Sequence, residues 1–369
     1  MDTDALLRAA AANHRSWFRR NALAAGGGVE RAGAVDLIVA GGSATIAFPR
    51  SRQVQAAVER VRELGVREAG CWSLAPDPVL GTRLVARGFG WGWQPHWMGL
   101  DLRRLPADPG RHEVKARHGP IPADVPYGDD DADPRPTVHL AVRRDGAIVG
   151  HAAMNPWRGV AGIYSMGVAP AQRRQGIGRA LTIAACRIAA ERGCSHAVLN
   201  ATDEGALTYR AVGFESLGWG ATWWYQAGPR PAPRQTALAE AIGFGDRAAL
   251  AALRPSPAEL VEQLPGGTSP IRLALLTDRP ATAEWMLARA PALASRRLEP
   301  FGGNLLHLAV EWDRPDVVRL ALAHGADPDL RDRAWNATPL QWAEHFARPA
   351  LVRLLAAGPP TPSRPPRSR

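Results

Sequence analysis

At 369 residues, with 46% hydrophobic and 22% charged residues, the chain has the length of two or three domains and the composition of a folded protein. Its net charge of +10 is almost all arginine, Lys115 being the only lysine, and the arginines are spread over every segment instead of forming a stripe with aromatics, which argues against a nucleic-acid surface. No run of about 18 uncharged apolar residues occurs, the first residues lack a signal peptide's order, and Cys71, Cys186 and Cys194 lack metal-ligand spacing, so no membrane span, disulfide framework or metal site is expected. A cytoplasmic protein follows, and the alanine-rich, arginine-for-lysine bias fits a GC-rich bacterial genome.

The N-terminal third opens with a helix, TDALLRAAAANHRSWFRRNALAA, followed by strands VDLIVA and ATIAF and a second helix, SRQVQAAVERVRELG. A proline-rich stretch from Leu105 to Pro136 then opposes both helix interior and central strand, and it holds the acidic residues Asp129, Asp130, Asp131 and Asp133. Those acids suit a solvated loop or the attraction of a cationic amine. Beyond it, two apolar runs flank Arg144-Asp145-Gly146, a hairpin signal. VAGIYSMGV follows as a third strand. From Gly178 to Glu191, apolar residues recur at helical spacing; HAVLNA is a strand, EGALTYRAVGF a short helix stopped by Gly213, and TWWYQ a final strand of the same sheet. The pattern is an α+β or mixed α/β core.

Between the third strand and its helix stands APAQRRQGIGRA. A strand that delivers a glycine turn onto a helix N-terminus presents free N–H groups and the positive end of the helix dipole, both suited to an anion. Gly176 and Gly178 let backbone approach an oxygen closely, and Arg173, Arg174 and Arg179 add charged donors around Gln175 and Ile177. On spacing alone, apolar packing of a helix start explains the motif equally well.

The order of hairpin, strand, Arg-x-x-Gly-x-Gly, helix, strand, then ALTYRAVGF resembles the GNAT superfamily of N-acetyltransferases over roughly residues 111 to 226. The resemblance implies that the loop from Arg173 to Arg179 grips the pyrophosphate of acetyl-CoA. It also implies a bulged strand ending SMGVAP, whose backbone at Met166, Gly167 and Val168 pairs with the pantetheine arm. Acetyl transfer needs a neutral amine, a stabilised oxyanion and a proton for the departing thiolate. By the resemblance, Tyr209 supplies that proton, an N–H near Val168 meets the oxyanion, and Asn200 contacts the cofactor arm or orders water. The glutamate that many members carry on the bulged strand is missing. Asp203 and Glu204 are candidates for the base, although helix capping explains them as well. His151 on the preceding strand is a further candidate, beside the plainer reading of a core histidine. Trp91, Trp93, Trp97, Trp157, Trp223 and Trp224 fall near strand ends, most on a buried face.

Shifted by 125 positions, the segment beginning CWSLAP overlays the second half: Gly88-Phe89 falls on Gly213-Phe214, Leu84 on Tyr209 and Ala75 on Asn200. The turn PRSRQ has no glycine. The N-terminal part therefore resembles a degenerate GNAT domain. The helices that usually wall the acceptor site have no counterpart between HEVKAR and TVHLAV.

After a proline-rich linker, four words beginning at Leu238, Ile271, Leu306 and Leu340 recur at 33, 35 and 34 residues, the ankyrin period. The third unit, NLLHLAVEWDRPDVVRLALAHGADPDL, resembles the ankyrin family most closely. The expected architecture is an α+β GNAT-like acyl-CoA N-acyltransferase fold in two copies, then an all-α ankyrin-repeat solenoid. Its segments are a degenerate domain at 1–105, an acetyltransferase domain at 106–226, a linker at 227–235, ankyrin repeats at 236–358 and a disordered tail at 359–369. The implied activity is acetyl transfer from acetyl-CoA, with no metal, to an amine on a small molecule or peptide, the repeats binding a protein partner. The alternatives are a non-catalytic acyl-CoA-binding module and an ankyrin-mediated interaction protein.

Overall fold

The computed structural model describes residues 1–107, 112–117 and 137–358. Most of the acidic prolyl segment, including all of the stretch between HEVKAR and TVHLAV, and the C-terminal tail lie outside the described residues. Two compact units result, one from Met1–Leu80 with Gly90–Pro229, the other from Gly81–Phe89 with the chain from Arg230 onward.

The first unit opens with α1 (Thr3–Ala24), capped by the Asp2 carboxylate on the Ala5 N–H. In chain order follow β1 (Gly28–Ala32), β2 (Val35–Ala40), β3 (Ser43–Ala47), α2 (Val54–Glu63), β4 (Glu68–Ser73), α3 (Pro78–Val85), most of which belongs to the second unit, β5 (Phe89–Trp91) and β6 (His96–Asp101). The second half repeats this order, with β7 (Lys115–Arg117), β8 (Val138–Arg144), β9 (Ala147–Trp157), β10 (Val160–Val168), α4 (Ile177–Glu191), β11 (His196–Ala201), α5 (Asp203–Arg210), β12 (Glu215–Trp219) and β13 (Ala221–Gln226). The hairpin signal is borne out: Asp145 and Gly146 both take positive φ, 49° and 81°, the turn that joins β8 to β9 with matching twist.

Two mixed sheets form, in the orders β1-β2-β3-β4-β13-β5 and β12-β6-β11-β10-β9-β8-β7. The two halves have exchanged a strand. His96–Asp101, shifted by 125 positions, is Ala221–Gln226, and each of these equivalent strands sits in the sheet of the other half. β6 lies antiparallel to β11, with Asn200 opposite Trp97, while β13 lies antiparallel to β4. The reading of TWWYQ as a strand of its own half's sheet is thereby corrected. Sequence pattern selects a buried strand but not which of two similar sheets receives it.

The crossing strands are held by backbone. The Gly92 N–H donates to the Thr222 carbonyl, the Thr222 N–H to Trp93 and the Gly220 N–H to Pro95, at 2.8–3.0 Å. Gly220 sits where no side chain fits, since a Cβ there would lie 2.5 Å from the Ser73 carbonyl oxygen and 2.6 Å from Trp97 Nε1.

The second unit stacks helices in pairs. These are α6 (Pro233–Phe244) with α7 (Arg247–Leu253), then the short α8 (Pro257–Val261), α9 (Pro270–Leu276) with α10 (Pro280–Arg289), α11 (Leu305–Glu311) with α12 (Pro315–Ala323), and α13 (Pro339–His345) with α14 (Pro349–Ala357). The recurring words fall on the first helix of each pair, as an ankyrin period requires. No helix of the described residues is long and apolar enough to cross a membrane.

The crossing gives a stability prediction. Gly220→Ala lowers unfolding free energy by about 1–3 kcal/mol because the clash is with a backbone oxygen that cannot rotate away. Chemical denaturation checks this, and a change under about 0.5 kcal/mol would contradict the crossing geometry.

Candidate active site

The site starts from an irregularity in β10. This strand pairs in parallel with β11 only from Val160↔His196 to Ile163↔Leu199, although both strands continue. Against β9 its register slips between Tyr164 and Gly167, so β10 carries a bulge, and Ser165 takes the left-handed φ of 47°. The extra residue reverses the faces: Ala161 and Ile163 lie in the core under α4 before the bulge, and Met166 and Val168 pack against that same core after it. The Ala169 N–H turns to the Val149 carbonyl of β9. Alternation along the strand therefore aims the backbone of Val168 and Met166 the other way, toward the gap that opens beside Asn200.

At the end of this gap lies the glycine loop. Gly176 caps α4 in the left-handed conformation at φ 84°, which favours glycine. The Ala180 N–H donates to the Gly176 carbonyl at 3.0 Å as the first bond of the helix, so the N–H groups of Ile177, Gly178 and Arg179 project from its end. Ile177 itself is a core residue; a Cβ added to Gly150 on β9 would lie 2.5 Å from its Cγ2. Gly178 brings three elements together, its missing Cβ standing 3.5 Å from Thr208 on α5 and 4.0 Å from Val168.

The charged residues of the loop divide by role. Arg173 folds back, Nε donating to the Val168 carbonyl at 3.2 Å while Nη1 lies 4.0 Å from Glu204. Arg174 is exposed, with a left-handed φ of 59°. Gln175 is clamped rather than displayed: Arg144 Nη1 donates to its Oε1 at 2.7 Å and to Gln172 at 2.5 Å, and His112 Nε2 donates to its carbonyl at 2.7 Å. Neither Arg144 nor His112 is legible as a site residue in the sequence, because each acts on the loop from a distant strand or linker.

Tyr209, on α5, is buried in the same core, its ring against Gly205 and 5.9 Å from Phe214. Burial pushes its phenol well above the usual value, so the hydroxyl keeps its proton at neutral pH. Thr202 caps α5 on the Gly205 N–H; Asp203 and Glu204 occupy the first turn, where a helix favours negative charge.

The opposite face of the second sheet is covered by α1. Asn13, fully buried, donates to the carbonyls of Asn155 and Val160 at 3.0 and 2.9 Å, and its Oδ1 accepts from Tyr164 Oη and Asn155 Nδ2 at 2.8 and 3.1 Å. Beside it, His14 stacks on Phe18 at 4.3 Å, meets Trp72, Trp97 and Tyr164 within 5.6 Å, and places Nδ1 3.5 Å from Asn200 Nδ2. Burial lowers its pKa to about 3, leaving it neutral. A helix from the chain's first residues thus walls this face.

The model of the acetyltransferase (GNAT) family matches residues 102–214, and the ankyrin-repeat model matches residues 301–333. The GNAT match therefore spans less than a third of the chain. A curated relative, streptothricin acetyltransferase from Streptomyces lavendulae, is 37% identical over 125 residues, covering 32% of this chain and 65% of that protein. Among solved structures, a GCN5-related N-acetyltransferase from Kribbella flavida aligns at TM-score 0.46 and 22% identity over 59% of this chain and 95% of that one. Another, from Sphaerobacter thermophilus, aligns at TM-score 0.40 and 17% identity over 53% and 76%. The bulge, the loop and Tyr209 all lie inside the matched GNAT segment.

Asn13 ties the N-terminal helix to this domain. Asn13→Leu strands two buried carbonyls and a tyrosine hydroxyl, and lowers stability by roughly 2–4 kcal/mol. A shift in denaturation midpoint reads this, and an unchanged midpoint would show that α1 is not held by these bonds.

Proposed function

We propose that the chain is an acetyl-CoA-dependent N-acetyltransferase that acts by direct attack of an amine on the thioester. The observation that carries this reading is the gap beside β10, which runs from bulged backbone to a glycine-capped helix N-terminus. A pantetheine arm is an extended chain of amides. The backbone of Met166 and Val168, with Gly167 between them, completes it as a strand would. The projecting N–H groups of Ile177, Gly178 and Arg179, with Arg173, Arg174, Gln175 and Gly176 around them, suit a pyrophosphate.

The chemistry divides among this chain's own groups. The Val168 N–H polarises the thioester carbonyl and meets the oxyanion. Tyr209 keeps a proton through burial and gives it to the departing thiolate. Asn200 orders the arm or a water at the open end. Asp203 and Glu204 act chiefly through the first turn of α5, which leaves the amine's proton to other groups. The N-terminal half, whose equivalent turn runs through Pro49–Gln53 without glycine, is a second copy that holds structure rather than cofactor. The ankyrin repeats recruit a protein partner, and a cytoplasmic setting supplies the acetyl-CoA.

Acetyl-CoA binds only the folded state and so raises the melting temperature of the full chain. Gly176→Asp removes that shift by adding a carboxylate among phosphates and a Cβ at positive φ. Tyr209→Phe keeps the shift and lowers thiol release roughly tenfold or more across a panel of amines, with streptothricin first because a relative carries its name. Equal turnover in Tyr209→Phe and parent would exclude Tyr209 as the acid, and an unchanged shift in Gly176→Asp would exclude the loop as the phosphate grip.

A further inference from the structure

Amine attack on a thioester leaves a proton on nitrogen that must go somewhere, and the bulged strand offers no carboxylate: residues 160 to 165 read Val-Ala-Gly-Ile-Tyr-Ser. The sheet face turned away from α4 carries two buried imidazoles instead. His139 on β8 and His151 on β9 are each 1% exposed, and His139 Nδ1 stands 3.3 Å from His151 Nε2. His151 is the strand partner of Gly167, and its Nδ1 lies 3.2 Å from the Ser165 carbonyl, the bulge residue itself.

The chemistry of these contacts fixes the protons. A carbonyl only accepts, so His151 Nδ1 carries hydrogen and donates to Ser165. In the neutral ring Nε2 is then a bare lone pair, accepting from His139 Nδ1–H. A proton added to the pair leaves the Ser165 bond in place and strengthens it, because an imidazolium is the better donor. The arrangement has the form of a base held by an orienting acceptor.

We propose that the His139–His151 pair, oriented by the Ser165 carbonyl, takes up the proton of the attacking amine. This rests on the acetyltransferase reading above. The C–N bond forms as the C–S bond breaks, the thiolate sulfur receives the Tyr209 proton, and the amine's surplus proton goes to the imidazole pair. Solvent then restores both groups to their starting states.

The surroundings suit the task. Arg117 of β7 stands opposite His139 in register, exposed to solvent; Arg20 of α1 is bonded to Asn155 at 2.6 Å, and the Tyr164 phenol of β10 is already committed to Asn13. Asp101, with His196 opposite it, stands at the far end of β11, about 13 Å along the strand from Asn200. Asp101 and Glu215 are tied to Arg103 and Arg104. Burial holds His151 below the ordinary imidazole value of 6.5, so its ring is neutral and ready to accept near pH 7. Acceptance is present above its pKa and lost as pH falls through it.

The test uses the full chain, acetyl-CoA and streptothricin, with ethylamine as a second acceptor. His151→Gln keeps a donor for Ser165 and an acceptor for His139 but cannot take a proton, and His139→Gln serves as the second variant. The expected result is a fall in kcat of roughly a hundredfold, an acid limb lost from the kcat–pH profile, and KM for acetyl-CoA within about twofold of the parent. Nitrogen NMR of the parent imidazoles reads His151 as the Nδ1–H form. Turnover in the parent with an unchanged pH profile in both variants overturns this inference alone, as does an Nε2–H form of His151. No turnover in the parent with either amine or with the wider panel overturns the reading beneath it as well.

Discussion

Everything at this site depends on one broken ladder. β10 and β11 begin as parallel neighbours and stop pairing after Ile163 and Leu199, because a bulge at Ser165 turns the strand over by one residue. Before it, Ile163 points into the α4 core and Tyr164 toward α1; after it, Met166 and Val168 take the core positions. A regular strand would have closed the sheet and left no edge for a ligand. The bulge opens that edge where the chain is about to deliver the N-terminus of α4, so polar backbone and helix dipole meet at one mouth.

The N-terminal half is part of this arrangement. It places β6 between β11 and β12 and lays α1 over the face that carries Asn155, Tyr164 and Asn200, pinned by four hydrogen bonds of Asn13. The segment matched to the GNAT family therefore takes a strand and a wall from residues outside residues 102–214.

Much of this was legible in the sequence because the signals are local. The Asp145-Gly146 turn, the Arg-x-x-Gly-x-Gly loop and the Gly213 stop each depend on a few adjacent residues with a defined backbone requirement. β1, β7 and β12 are not legible because each is only three to five residues long and lies mostly half-buried or exposed, while residues 68–101 are legible as a counterpart of the second half but not as separate elements. The strand exchange was illegible for a different reason: β6 and β13 are equivalent segments with similar patterns, and partner choice is a long-range matter. His14, His112 and Arg144 could not be assigned to the site, since their partners lie 186, 63 and up to 31 residues away. His151 was legible as a candidate but not as half of a pair, which only the register of β8 on β9 creates.

Hydrogen–deuterium exchange on the full chain, with and without acetyl-CoA, tests the central claim most directly, because it reads the backbone groups that the broken ladder leaves toward the gap. The account predicts new protection at the amides of Met166 and Val168 and across Arg173 to Arg179, with β8 and the helical repeats unchanged. Protection confined to other segments, or none at saturating acetyl-CoA, would contradict the assignment of this gap as the cofactor site.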